Sequence, residues 1–414
     1  MRIYKINDDK FKSIYISYNF TFEVKDESDF SNSVVLAALM SKTSNKYRTL
    51  KEKNRYLNFL YGASFFVNTQ RFGDLYSIEF GIEYINKEFL PDKEELLYKV
   101  LYFLKEMIYN PADWSEKEIQ REKDVLANRI NKQKDDKFNY AIKRVEELLC
   151  KDEPFGTALY GGIENVESVD KSSLIKAYDK LLDSCVTIIV SGNLCGYDDI
   201  DKKINEVFKN CNNSTKKITD LVFNTKKESL SNIEVVNENI DATQSILTVG
   251  MKINNCNADD FYALNLYNLI LGGAPSSKLF QNVREKESLA YDISSIYNCF
   301  KDIIIIYAGI NKDNYNKALR IIEDQITQIK QGKITDIEFN SAKDMLIESL
   351  IECNDSKISL LDNKLMNIIK FKTDSISIDD AIEQVKKITI DDIVRVANLI
   401  STKKIFFLGG IDNA

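Results

Sequence analysis

The 414-residue chain contains no histidine. Imidazole is the usual general base near neutral pH and the commonest metal ligand. Its absence excludes Ser-His-Asp and Cys-His catalysis within this chain, and every His-ligated metal site. Carboxylate, lysine and tyrosine chemistry remain. Also missing is any run of ~20 apolar residues, so no membrane span is expected. The residues from Met1 to Asp8 lack the apolar stretch of a signal peptide, which makes the cytoplasm the expected location. None of the seven cysteines forms a C-x-x-C pair, which argues against a disulfide framework or a zinc ribbon. Reduced and mostly buried thiols are expected instead. A basic excess is lacking too. Net charge is −7 and the pI about 5.2, so no nucleic-acid partner is expected.

What is present suits a globular chain: 44% apolar and 29% charged residues. Its length fits about two to four domains. The strongest internal signal is a repeat of two halves. Ile163, Val166 and Val169 recur at threes, and the strand 186–190 with Ser191-Gly192 follows. Ile382, Val385 and Ile388 do the same before the strand 405–408 with Gly409-Gly410. The offsets are 219 residues (Ile163 to Ile382) and 218 (Gly192 to Gly410). Helical periodicity over 96–104 and 318–326 gives a second trace. Each of these stretches precedes a long amphipathic helix, at 115–134 and 335–352, with Pro111 breaking the first pair and Gly332 the second. The polar stretch 212–232 reads as a linker between domains at 1–211 and 233–414. Strands mixed with helix pairs, without βαβ alternation, favour α+β domains. The adjacent acids Asp135-Asp136, Asp259-Asp260 and Asp391-Asp392 read as solvated caps or turns.

The segment from Leu271 to Tyr291 is more specific. An apolar helix over 259–271 ends at the pair Gly272-Gly273, and Pro275-Ser276 opens a second helix carrying Leu279, Phe280 and Val283. Arg284 and Tyr291 follow, seven residues apart. This arrangement resembles the second-domain signature of the insulinase/pitrilysin zinc peptidases, and Leu60-Tyr61-Gly62-Ala63 resembles a first-domain turn of that family. The order of pieces is similar to an inactive branch associated with 5-aminopentanol modification of elongation factor P. The resemblance covers nearly the whole chain. It implies an α+β fold of two homologous domains, each an antiparallel sheet packed with helices, enclosing a peptide chamber. It also implies that Arg284 and Tyr291 contact a substrate carbonyl, where such donors stabilise an oxyanion. A surface salt bridge for Arg284 and a sheet-face role for Tyr291 are the alternatives.

Active relatives carry H-x-x-E-H on a first-domain helix and a distal Glu. Here the resemblance places Val34, Ala37 and Ala38 on the motif positions and Arg129 on the distal one. No metal and no cofactor are therefore expected. Arg129 is expected to be exposed or salt-bridged rather than to touch substrate. The resemblance implies a chain inactive alone, paired with a zinc-bearing homologue, with Arg284 and Tyr291 acting in trans on an unfolded peptide. The alternative is a catalytically dead peptide- or protein-binding scaffold, acting in elongation factor P modification.

Overall fold

The computed structural model describes residues 2–133, 135–157, 160–211, 214, 216–221, 233–240, 244–373 and 376–410. The first half runs β1 (Arg2–Asn7), β2 (Ser13–Glu23), α1 (Glu27–Met40), α2 (Leu50–Phe59), β3 (Ser64–Phe72) and β4 (Leu75–Ile85). Then come α3 (Leu97–Tyr109), α4 (Glu116–Lys132), α5 (Lys137–Leu149), α6 (Ile163–Glu167), α7 (Lys171–Leu182), β5 (Cys185–Gly192) and α8 (Ile200–Val207). The second half runs β6 (Glu234–Ile240), β7 (Ser245–Ile253), α9 (Phe261–Asn268), β8 (Ala290–Asn298) and β9 (Ile303–Ile310). It ends with α10 (Tyr315–Lys330), α11 (Asp336–Cys353), α12 (Lys357–Phe371), α13 (Ile378–Lys387), α14 (Ile390–Ala397) and β10 (Ile400–Gly410).

The two five-stranded sheets share one topology: β1-β5-β2-β4-β3 and β6-β10-β7-β9-β8. The fold is α+β, as the strand and helix pattern requires. Each sheet is antiparallel except for one pair, β1 with β5 and β6 with β10, which run parallel. Two compact units result. One comprises Met1–Ile130, Leu159–Phe223 and Cys353–Asp374; the other comprises Asn131–Ala158, Asn224–Glu352 and Ser375–Ala414. Neither is contiguous in sequence. Most of 212–232 lies outside the described residues; of the rest, Ile218 and Leu221 are buried in the first unit.

The strands show why each unit needs helices on two faces. Along β2, Ile14, Ile16, Tyr18, Phe20 and Phe22 enter the main core under α1 and α3. The alternate residues Tyr15, Ser17, Asn19 and Thr21 point the other way, yet they are also buried. They satisfy one another and their neighbours on β4. Asn19 Nδ2 donates to Ser17 Oγ at 2.7 Å, and Ser17 Oγ donates to Glu79 at 2.5 Å. On this side α12 rests against β5. Lys357 ties α12 to Glu83 and Ser13, and Lys372 Nζ donates to the Ile218 and Leu221 carbonyls at 3.0 and 2.9 Å.

In the second unit the corresponding cover is α5 and it is apolar. Ala141, Ile142, Val145 and Leu149 pack on Ile246, Ile303, Ile305, Phe406 and Leu408. A Cβ on Gly250 would lie 2.9 Å from Leu149, so the missing side chain lets the helix approach. Polar clamps finish the contact. Arg144 Nη2 and Tyr140 Oη both donate to Glu238 at 2.8 Å, and buried Glu153 pairs with Lys252 and Lys301.

Several expectations need correction. Only Cys150 and Cys185 are buried; Cys195 is exposed and the other four thiols are partly exposed. Asp136 does cap α5, and Asp391 and Asp392 do lie in the first turn of α14. Asp260 also caps a helix start, accepting the Asn257 N–H at 2.8 Å, but it is buried rather than solvated and takes a 2.7 Å bond from Arg395. The helix expected over 259–271 begins at Phe261 and closes in a π turn over Leu269–Gly273. No helix among the described residues is long and apolar enough to cross a membrane.

Leu149→Ala should open a cavity between α5 and the sheet below it and cost about 2–5 kcal/mol. Urea denaturation of the full chain measures the loss. Native-state hydrogen exchange should place the lost protection on β7 and β9 rather than on β2 and β4.

Candidate functional site at the open edge of β3

In the first unit β3 ends the sheet, so among the described residues one row of its backbone donors and acceptors has no strand partner. A cavity of about 680 Å³ follows that edge past Phe66, Val67, Asn68, Thr69, Gln70 and Arg71. Its walls stand on opposite faces of the sheet. Tyr76 belongs to the main core and meets Phe30 of α1 with ring centres 5.5 Å apart. On this side lie Val34 and Ala38 from α1, Arg129 from α4 and Tyr160. Across the edge lie Tyr15, Phe66 and Glu79, with Ile358 and Asp362 on α12.

The first wall is cationic and aromatic. The Arg129 guanidinium sits 4.5 Å above the Tyr160 ring, and the Arg71 guanidinium 4.4 Å above the Phe30 ring. Ser31 Oγ donates to the Tyr160 carbonyl at 2.6 Å and fixes that ring's support. Burial raises the Tyr160 hydroxyl above its ordinary range while Arg129 pulls against it. Burial also pushes Tyr76 up to about 12, opposed by its bond to Thr69 and by both arginines. The second wall is acidic. Tyr15 Oη donates to Glu79 at 2.8 Å, and burial and that carboxylate hold the phenol well above its usual range. Asp362 opens into the cavity, where lost hydration and the Glu79 charge push its carboxyl up to about 6.

The structure therefore brings Val34, Ala38 and Arg129 to one cavity, although almost a hundred residues of sequence separate α1 from Arg129. Ala37 points into the core and is buried. Arg129 is exposed, and among the described residues it meets no carboxylate; Tyr160 is its partner. A zinc ion does not fit this donor set. Aliphatic Val34 and Ala38 offer no lone pairs, Arg129 is a cation, and no three His, Cys, Asp or Glu cluster as a metal requires among the described residues.

Arg284 and Tyr291 lie in the second unit. Arg284 stacks on Phe280 at 4.6 Å and its Nε is 3.7 Å from Glu285. Tyr291 is 72% exposed. It is the extra residue where the β8–β9 register shifts, between Ala290 opposite Ile310 and Asp292 opposite Gly309. Gly272 has a packing role. A Cβ there would fall 2.9 Å from the Ser295 backbone nitrogen, and Ser294 Oγ donates to the Gly272 carbonyl at 3.0 Å. A Cβ on Gly273 would lie 3.0 Å from the Asn268 amide. Sequence reasoning missed Tyr160, Arg71, Glu79 and Asp362. Glu79 stood within a strand-like run, but nothing local links Asp362 to a strand nearly three hundred residues earlier.

Residues 169–346 match the family described as the peptidase M16 inactive domain. Over 99% of its length the chain is 26% identical to the probable inactive metalloprotease YmfF of Bacillus subtilis (strain 168), covering 96% of that protein. An uncharacterized zinc protease of the same organism, YmxG, is 24% identical over 70% of each chain. Among solved structures, a conserved protein from Enterococcus faecalis V583 matches with TM-score 0.90 and 26% identity, over 100% of this chain and 97% of that one. The peptidase M16 inactive domain from Pseudomonas fluorescens shares the fold, with TM-score 0.79 and 15% identity over 99% of this chain and 95% of that one.

Two predictions follow from the cavity. Installing donors by Val34→His, Ala38→His and Arg129→Glu together should create binding of one zinc per chain, read by calorimetry, while each single change should not. Asp362 titrates near 6 in the fold against an ordinary 3.8, so the folded state holds the extra proton in that window. Stability should fall as pH rises through it. Asp362→Asn should therefore gain melting temperature relative to the parent between pH 4 and pH 7. An unchanged difference would show that Asp362 is hydrated normally.

Proposed function

We propose that this chain, a relative of the M16 peptidases through their inactive domain, is a noncatalytic subunit that holds an extended peptide beside a zinc-bearing homologue. The observation that carries this reading is the cavity at the β3 edge. Val34, Ala38 and Arg129, which the family resemblance assigns to the zinc-motif positions, line it beside the end strand β3. An extended peptide can add to such an edge through main-chain hydrogen bonds, with its side chains entering pockets on alternate faces. That surface suits the holding of a peptide, and among the described residues no three His, Cys, Asp or Glu side chains cluster to hold a metal that would polarise a carbonyl.

Arg284 and Tyr291 supply the second contribution. Packing gives no reason for a tyrosine exposed at a strand bulge, and Arg284 is also exposed. In a paired assembly they would act as donors to a substrate carbonyl polarised by the partner's zinc. The partner in this reading is a similar chain with an intact H-x-x-E-H. A second reading, a peptide-binding scaffold without any proteolytic partner, is favoured by one observation: every residue lining the cavity comes from one compact unit. Modification of elongation factor P is the setting the family resemblance suggests for it.

Mixing the chain with an H-x-x-E-H homologue should yield chelator-sensitive cleavage of unstructured peptides. Arg284→Ala combined with Tyr291→Ala should lower kcat/KM of the pair by about 100-fold or more. A pair that keeps full activity with both side chains removed rules out the in-trans role. A stable peptide complex with no cleavage in any mixture would favour the scaffold.

A further inference from the structure

The two walls of the β3 cavity carry opposite charge, and they stand on opposite faces of the sheet. Arg129 and Arg71 lie on the side of α1, each guanidinium laid over an aromatic ring. Such stacking holds the planar fork in place before a ligand arrives, which suits bidentate capture of a carboxylate. Arg129 meets no carboxylate among the described residues, and its neighbours Val34 and Ala38 are small enough to leave room in front of it. Glu79 and Asp362 lie on the side of α12. Glu79 is fixed by the Tyr15 and Ser17 hydroxyls, at 2.8 and 2.5 Å.

A strand added to the β3 edge would send successive side chains to alternate faces. Residues an odd number apart would meet opposite walls, and residues two apart would meet the same wall. We propose that this cavity selects extended peptides by charge alternation: an acidic group directed at Arg129 and a basic side chain on an adjacent residue directed at Glu79 and Asp362. This rests on the peptide-holding reading above and adds a rule for which peptides are held. The carboxylate can come from an Asp or Glu side chain or from a free C-terminus; the chemistry at Arg129 is the same.

The test is fluorescence anisotropy of the full chain with short labelled peptides of equal composition, blocked at both ends. One carries adjacent Lys and Glu, a second has them two apart, and others replace Glu by Gln or Lys by norleucine. The adjacent arrangement should bind about tenfold tighter than the spaced one, the scale of one charged hydrogen bond. Arg129→Gln should erase the Glu-over-Gln preference and keep the preference for Lys; Asp362→Asn should do the reverse. Arg129→Lys, which keeps the charge, should retain part of the effect. A peptide whose free C-terminus replaces the Glu with the same Arg129 dependence supports the proposal and identifies the terminus as a source. Equal affinity for both spacings, or a Glu-over-Gln ratio untouched by Arg129→Gln, overturns the proposal and leaves peptide holding intact. Failure of every peptide to bind removes the peptide-holding reading and the charge rule together.

Discussion

Each sheet has to bury both of its faces, and this constraint shapes everything else. In β2 the two faces differ in chemistry, apolar at Ile14, Ile16, Tyr18 and Phe20 and polar at Ser17, Asn19 and Thr21, yet both are inaccessible to water. An unsatisfied hydroxyl or amide in such a place is expensive, so the polar face is internally bonded and roofed by α12. The second unit solves the same problem with hydrocarbon, through α5 on Ile246, Ile303 and Phe406. In both cases the roof comes from the other half of the sequence. The roof also makes the site. Without α12 the cavity would lose Ile358 and Asp362, and its second wall would be reduced to Tyr15, Phe66 and Glu79 on the sheet itself.

A zinc site is costly to keep once the metal is absent. Three donor side chains turned toward one point repel or stay unsatisfied in a partly closed cavity, and each must be protonated, hydrated or paired. On the family resemblance, Val34 and Ala38 stand where two such donors would, and they carry no such burden. Arg129 answers it differently, because a guanidinium can rest on an aromatic face, as it does on Tyr160, without needing a carboxylate. The result is a cavity whose α1 wall carries a cation laid on an aromatic ring.

Much of the fold was legible because it is written in periodicity. The long helices at Glu116–Lys132 and Asp336–Cys353, and the strands Cys185–Gly192 and Ile400–Gly410, occupy the stretches their spacing indicated. The family resemblance grouped Val34, Ala38 and Arg129, helical spacing puts positions 34 and 38 on one face, and the three line one cavity. What stayed hidden was long-range. That Lys357–Phe371 covers the sheet of the first unit depends on where a chain returns after more than a hundred residues, and amphipathicity names a buried face without naming its partner. Asp260 shows the same limit. Its sequence context is that of a helix start, which supplies the Asn257 N–H to the carboxylate, but the distant Arg395 that meets its other oxygen is not legible there.

Of the four sheet ends, at β1, β3, β6 and β8, the equivalent strands β3 and β8 differ in how well they suit the proposed peptide pairing. Both β3 and β8 end their sheets. The β3–β4 register runs without a break from Ser64 opposite Glu83 to Phe72 opposite Leu75, so β3 presents a regular row of donors and acceptors. The β8 edge is interrupted at Tyr291, where a bulge twists the strand and spoils the spacing an added strand would need. The same bulge turns the Tyr291 side chain out to 72% exposure. A feature that blunts one edge against pairing is thus also what delivers a phenol to the surface. Packing accounts for both glycines of that segment, Gly272 against Ser295 of β8 and Gly273 against Asn268 and Leu269, so they would persist in a chain with no catalytic role. Exposure of Arg284 and Tyr291 is what packing leaves unexplained, and it is on these two side chains that any in-trans contribution has to rest.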